Sequence, residues 1–146
     1  MATENLRRVQ VVRRFEFSAE RVFDAWLDRN TAGQWLFAHE SRPMIKVEID
    51  PRVGGSFNIT RRDGDDVNDD VEHVGEYLEI DRPRRLVFTF SVPKFAKQIT
   101  RVTVDIVPVD GGCQLTLTHE DVLPEWASAT ESGWGNILNS LALTRA

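Results

Sequence analysis

ITRRDGDDVNDDVEHVGEY, Ile59 to Tyr77, packs five aspartates and two glutamates into nineteen residues. It reads either as a calcium loop or as the tip of a hairpin, and the choice decides the fold. An EF-hand loop places oxygen ligands at its first, third and fifth positions, a glycine at the sixth and a bidentate Glu at the twelfth. Counted from Asp66, the first three are met by Asp66, Asn68 and Asp70, but the sixth is Val71 and the twelfth is Tyr77. No amphipathic helix flanks the segment. Asp63-Gly64, by contrast, is a turn signal between two alternating stretches, so the cluster reads as the solvated tip of a β-hairpin.

Outward from that hairpin the strand pattern continues in both directions. Upstream, IKVEID ends at Asp50-Pro51, and Gly54-Gly55 turns the chain into SFNITRR. Downstream come VEHVGEYLEI, RLVFTFSV, TRVTVDIVPV and CQLTLTHE, separated by Asp81-Arg82-Pro83, Pro93-Lys94 and Asp110-Gly111-Gly112. Connections this short favour an antiparallel meander. Before it, Val9 to Phe17 reads as a first strand. Ser18 is placed to cap a helix whose Val22, Phe23 and Trp26 form one stripe, and Asp28 or Asn30 to cap a second short turn bearing Trp35, Leu36 and Phe37.

After Glu120 the period returns to that of a helix. Pro124 suits a first helical position, and Trp134, Ile137, Leu138, Leu141 and Ala142 recur at three and four. Gly133 and Gly135 each cost this helix about 1 kcal/mol relative to Ala, which suggests a close approach or an opening beside Trp134. The order is strand, two short helices, meander, terminal helix. One sheet with helices on a single face is an α+β architecture, expected as one domain over residues 1–146.

Composition bounds the function. The chain has 146 residues, 41% of them hydrophobic and 28% charged, with a formal net charge of -5. A nucleic-acid binder needs a clustered basic face, and Arg61-Arg62 and Arg82 to Arg85 are short spots in an acidic chain. Nucleic acid is therefore not an expected partner. Cys113 is the sole cysteine, which excludes an internal disulfide and suits a reducing compartment. The first fifteen residues lack the apolar stretch of a secretory signal, and nothing approaches the roughly 20 apolar residues of a membrane span. The expected location is cytoplasmic.

The phrases FSAERVFDAWLD, GQWLF, VEIDPRVGGSFNI, VGEYLEIDRPRRLVFTF, TLTHEDV and ESGWGNILNSLA follow one another in an order that resembles the START-like superfamily, also called SRPBCC or Bet v-like. Within it they resemble the branch homologous to the activator of the 90-kDa heat-shock-protein ATPase. The most specific pieces are Gly54 to Phe57, Leu117 to Glu120 and Gly133-Trp134. Trp35-Leu36 stands where many relatives carry a Trp-Trp pair. The resemblance implies a helix-grip fold, a curved antiparallel sheet wrapped around the C-terminal helix with an apolar cavity between them. It also implies a small hydrophobic, lipid- or polyketide-like or aromatic ligand. Two further readings come with it: a cyclase or hydratase, since some members cyclise or hydrate their ligands, and a chaperone as partner, since the branch's eukaryotic namesake is a co-chaperone.

Strand alternation assigns faces to the candidate site. Cys113, Leu115, Leu117 and His119 share one face of CQLTLTHE. Phe57 with Ile59, and Leu86 with Phe88 and Phe90, form similar rows. Trp35, Phe37, Trp134 and Leu138 would close the cavity from the helical side. The expected ligand-lining set is thus Trp35, Phe37, Phe57, Phe88, Phe90, Leu117, His119, Trp134 and Leu138. His119 is also the one residue placed to act as an acid or base, its ordinary pKa being about 6.5. His73 and Tyr77 share a strand face, with no sequence signal linking them to His119. Ser128, Ser132 and Ser140 lie in no nucleophile-elbow motif, no phosphate loop or HExxH occurs, and three scattered histidines make no zinc site. Neither a cofactor nor a metal is expected.

Overall fold

The computed structural model describes residues 6–37, 44–64 and 67–143. The elements run β1 (Arg7–Phe15), α1 (Ala19–Leu27), α2 (Arg29–Trp35), β2 (Met44–Ile49), β3 (Ser56–Arg62), β4 (Asp70–Asp81), β5 (Arg85–Val92), β6 (Ala96–Val109), β7 (Gly112–Val122) and α3 (Ala127–Leu143). Among the described residues the strands form one seven-stranded antiparallel sheet in the order β1-β7-β6-β5-β4-β3-β2. Consecutive strands β2 to β7 pair as a meander, and β1 closes onto β7. Register shifts at Tyr77/Glu79 and Phe90/Val92 mark bulges, which bend a sheet and strengthen its twist. The result is the helix-grip architecture, with α3 lying along β1 and touching α2.

Local chemistry sets the element boundaries. Ser18 accepts a hydrogen bond from the Arg21 amide at 3.2 Å and starts α1, while Asp28 accepts from the Thr31 amide at 3.0 Å and starts α2. Between the two expected candidates, Asp28 is therefore the cap. Trp35 ends α2, so Leu36 and Phe37 leave the helix, and Phe37 adopts φ 60, a left-handed conformation that is uncommon for a bulky residue. Pro124–Trp126 forms a 3-10 turn ahead of α3.

The hairpin that decides the fold pairs Arg62 with Asp70, and the Asp63 amide donates to the Asp69 carbonyl at 2.9 Å. Its connection is longer than a two-residue turn and includes a 3-10 turn at Val67–Asp69. Arg61 holds Asp63 through bonds of 2.6 and 3.1 Å, and Arg62 holds Asp70 at 2.7 and 3.3 Å. Asp66, the first position of the calcium register, lies outside the described residues.

The core fills the concave face. Val22, Phe23 and Trp26 of α1, Trp134, Leu138 and Leu141 of α3, and the Cys113, Leu115, Leu117 row of β7 are all buried together. Ala142 is a departure from the expected stripe, since it lies exposed on the outer side of α3. A Cβ at Gly133 would meet open space, whereas one at Gly135 would meet the tip of the Arg13 side chain at 3.0 Å. Among the described residues, no helix is long and apolar enough to cross a membrane.

Candidate functional site

At the end of the sheet where β5 turns into β6, three strands and the terminal helix place four residues in one hydrogen-bonded chain. The Trp134 indole Nε1 lies 3.0 Å from His119 Nδ1. His119 Nε2 lies 2.6 Å from Thr100 Oγ1, which lies 2.8 Å from the Phe90 carbonyl. The chemistry of each group fixes every proton. An indole N–H only donates, so Nδ1 accepts; a carbonyl only accepts, so the Thr100 hydroxyl donates to Phe90. The remaining proton sits on His119 Nε2 and is donated to Thr100 Oγ1.

His119 is 4% exposed and Trp134 3%. Burial pushes the His119 imidazole down to about 4, so it is neutral near pH 7. With Nδ1 accepting and Nε2 donating, the ring has no unoccupied nitrogen for proton abstraction. Its sequence face is as expected, and its two partners come from 15 and 19 residues away.

Against this chain lies a cleft of about 170 Å³. Phe90, Thr100 and His119 contribute one side of it. Phe95 and Gln98 line it from the β5–β6 connection and the start of β6, and Val122, Leu123 and Trp126 from the end of β7 and the 3-10 turn. Asp121 takes φ 66, a left-handed conformation that Asp tolerates better than most residues, as the chain leaves β7. Its carbonyl accepts from Gln98 Nε2 at 2.6 Å, tying the two walls together. Phe95 is 58% exposed and Trp126 43%, so large aromatic surfaces stand open at this cleft. No Asp, Glu, Lys or Arg is among the described residues that line it.

A second, inner space of about 10 Å³ is bounded by Trp26, Phe37, Phe57, Tyr77 and Phe88. That is room for about one water-sized group. Trp26, which borders it, has its Nε1 buried without a hydrogen-bond partner among the described residues. Burial raises the Tyr77 phenol above its ordinary pKa.

The nine expected site residues therefore fall into three places. Phe90 and His119 line the cleft, and Phe37, Phe57 and Phe88 border the inner space. Trp35, Leu117, Trp134 and Leu138 are packed in the core. Trp35 donates its indole N–H to the Ala25 carbonyl at 3.1 Å and meets Trp26 edge-on at 4.8 Å, clamping α2 to α1. Trp134 stands behind His119 and packs on Phe37, Phe90 and Trp26. His73, unlinked to His119 in the sequence, is joined to it through Phe90, whose ring lies 6.3 Å from one and 5.5 Å from the other. Phe37 stacks on His73 at 4.2 Å. His73 Nδ1 donates to the Ile59 carbonyl at 2.9 Å. Burial first, with Arg61 adding to it, holds His73 near 4 as well.

Sequence reasoning missed Phe95, Gln98, Thr100, Val122, Leu123 and Trp126. Two signals were present: Phe95 is a large apolar residue in a Pro-Lys turn, and Trp126 stands off the three-four stripe of α3.

Residues 16–144 match the family described as activator of Hsp90 ATPase homolog 1-like protein. The chain belongs to that family. Proteins of solved structure share its fold along nearly the whole length. Protein CV1439 from Chromobacterium violaceum superposes with a TM-score of 0.82 at 25% identity, covering 93% of this chain and 94% of its own. An uncharacterised Rhizobium leguminosarum protein gives 0.80 at 19% identity, covering 97% and 95%, and Mll3558 from Rhizobium loti gives 0.77 at 23%, covering 97% and 99%. No curated protein matches the chain. Members of the activator of Hsp90 ATPase homolog 1-like fold family commonly bind hydrophobic ligands.

Proposed function

We propose that this protein is a binding module for a small hydrophobic, ring-bearing molecule, held in the cleft between the open end of the sheet and the start of α3. The observation that carries the reading is the exposure of Phe95 and Trp126 on either side of an apolar cleft whose polar floor is already satisfied. Leaving such surface in water is unfavourable, at about 25 cal/mol per Å² of apolar area, and a ligand that covers it recovers that free energy. The cleft, at about 170 Å³, is smaller than the usual 300–1,000 Å³ of drug-sized sites. It compares with the roughly 150 Å³ apolar cavity that takes up benzene. The fitting ligand is one ring or a short chain rather than a long lipid.

The satisfied state of His119 favours binding over catalysis. A cyclase or hydratase needs a group that can take up or release a proton at the ligand, and both nitrogens of this ring are engaged within the protein. The test is an amide NMR titration of the whole chain with anisole. Shifts should concentrate at Phe90, Phe95, Gln98, Thr100, His119 and Trp126, with a Kd on the order of 1 mM, equivalent to about 0.5 kcal/mol for each of its eight heavy atoms. Trp126→Ala should weaken binding severalfold. Shifts confined to other regions, or no saturable shift, would overturn the assignment.

A further inference from the structure

The hydrogen-bond inventory of the cleft is lopsided. Each donor on its His119 side points inward: Trp134 Nε1–H to His119, His119 Nε2–H to Thr100, and the Thr100 hydroxyl to Phe90. Two residues from Thr100 along β6, Gln98 is fixed in one orientation, because the Asp121 carbonyl can only accept and must face Nε2. That leaves Gln98 Oε1, on a residue that lines the cleft, as an acceptor with its amide plane pinned. The half-buried hydroxyls of Ser91 and Thr130 can serve either role. No Lys or Arg is among the described residues lining the cleft, and the chain as a whole is acidic. A carboxylate entering such a site sheds hydration and gains no counter-charge.

We infer that the cleft selects an uncharged, single-ring ligand bearing a hydroxyl donor, a phenol or a ring-linked alcohol, and that Gln98 Oε1 is the acceptor that reads the hydroxyl. This rests on the cleft reading above and adds polarity to it. The ring lies on Phe95 and Trp126, the O–H reaches Gln98, and a ligand of the same size without the donor loses the hydrogen bond. An anionic ligand of the same size is excluded by desolvation.

Three compounds separate the possibilities when titrated into the full chain and followed by amide NMR: p-cresol, its isomer anisole, and benzoate. The cresol has the donor, the ether has the same atoms without it, and benzoate carries charge. Cresol should bind about three- to tenfold more tightly than anisole, the ratio that one neutral hydrogen bond is worth, and benzoate at least about tenfold more weakly than cresol. Gln98→Met keeps the side-chain length but also removes the tie to Asp121, so the readout is the cresol-to-anisole affinity ratio within the variant, which should fall to about one whatever happens to the two affinities together. Equal shifts of the cleft amides by cresol and anisole would overturn the donor preference and leave the cleft reading standing. A cresol advantage that survives Gln98→Met would overturn the role of Gln98, and benzoate binding as tightly as cresol would overturn the selection for neutral ligands. Cleft amides unmoved by all three compounds would overturn the cleft reading itself.

Discussion

Trp134→Phe keeps a ring in its slot and deletes the N–H that His119 Nδ1 accepts at 3.0 Å. Because His119 is 4% exposed, water cannot take over, and a stranded buried acceptor costs about 1–3 kcal/mol. The smaller ring gives up contact with Trp26, Phe37 and Phe90, adding roughly 1–2 kcal/mol on the per-methylene scale. At a urea m-value of about 2 kcal/mol/M, the unfolding midpoint should fall by about 1–2.5 M. A double-mutant cycle with His119→Leu isolates the bond, since the double variant strands neither partner. The two losses should then exceed the double-variant loss by about 1–2 kcal/mol. A second readout is independent of packing: burial, which holds His119 near 4, persists in the variant, so the imidazole stays neutral and the loss of the Trp134 N–H should appear as a moved ¹⁵N shift of Nδ1 at pH 7. Losses that add to within about 0.5 kcal/mol, with an unmoved His119 Nδ1 shift, would refute the hydrogen-bonded chain.

Acid should destabilise the fold through both buried histidines. Folded-state values near 4 against 6.5 unfolded mean that the unfolded chain binds more protons between those limits, so stability falls as pH drops from about 6.5 to 4, by roughly 3 kcal/mol per histidine; urea unfolding at pH 7 and pH 4.5 checks this, and equal midpoints would contradict it. Gly133→Ala should stabilise by up to about 1 kcal/mol, because the added methyl meets nothing and the helix gains propensity. Gly75→Ala should severely destabilise or prevent folding, because its Cβ would collide with the Thr89 carbonyl and the Phe57 ring; wild-type-like melting would show that the β4–β5 approach is wrong. Calcium at tens of micromolar should leave the Asp69 and Asp70 amides unmoved, since Arg61 and Arg62 engage the neighbouring carboxylates, and saturable shifts there would reopen the calcium reading.

The architecture was legible because its signals are local or periodic. Ser18 and Asp28 declare helix starts through side chains that reach three residues ahead, and the Cys113, Leu115, Leu117, His119 row follows from the two-residue period of one strand. The length of the hairpin connection was less legible, since Asp63-Gly64 signals a turn without fixing where β4 resumes pairing at Asp70. The site was read only in part, for a physical reason. Aromatic residues at strand and helix spacing look alike whether they line a cavity or fill a core, and the bend of the sheet decides between them. That bend packed Trp35, Leu117 and Leu138 solid and left about 10 Å³ beside Phe57 and Phe88. Phe95, Gln98 and Trp126 sit in or beside turns, where no period marks them. The His119 to Trp134 bond joins two elements whose relative position depends on the left-handed residue Asp121 near the end of β7 and on the 3-10 turn at Pro124–Trp126.

The measurement that bears most directly on the binding account is the set of intermolecular NOEs from p-cresol bound to the 146-residue chain. The ring protons should show cross-peaks to the Val122 and Leu123 methyls and to the Phe95 and Trp126 rings, which line the cleft. Cross-peaks to the Leu86 methyls and the Phe57 and Phe88 rings instead would place the ligand in the inner space and contradict the account.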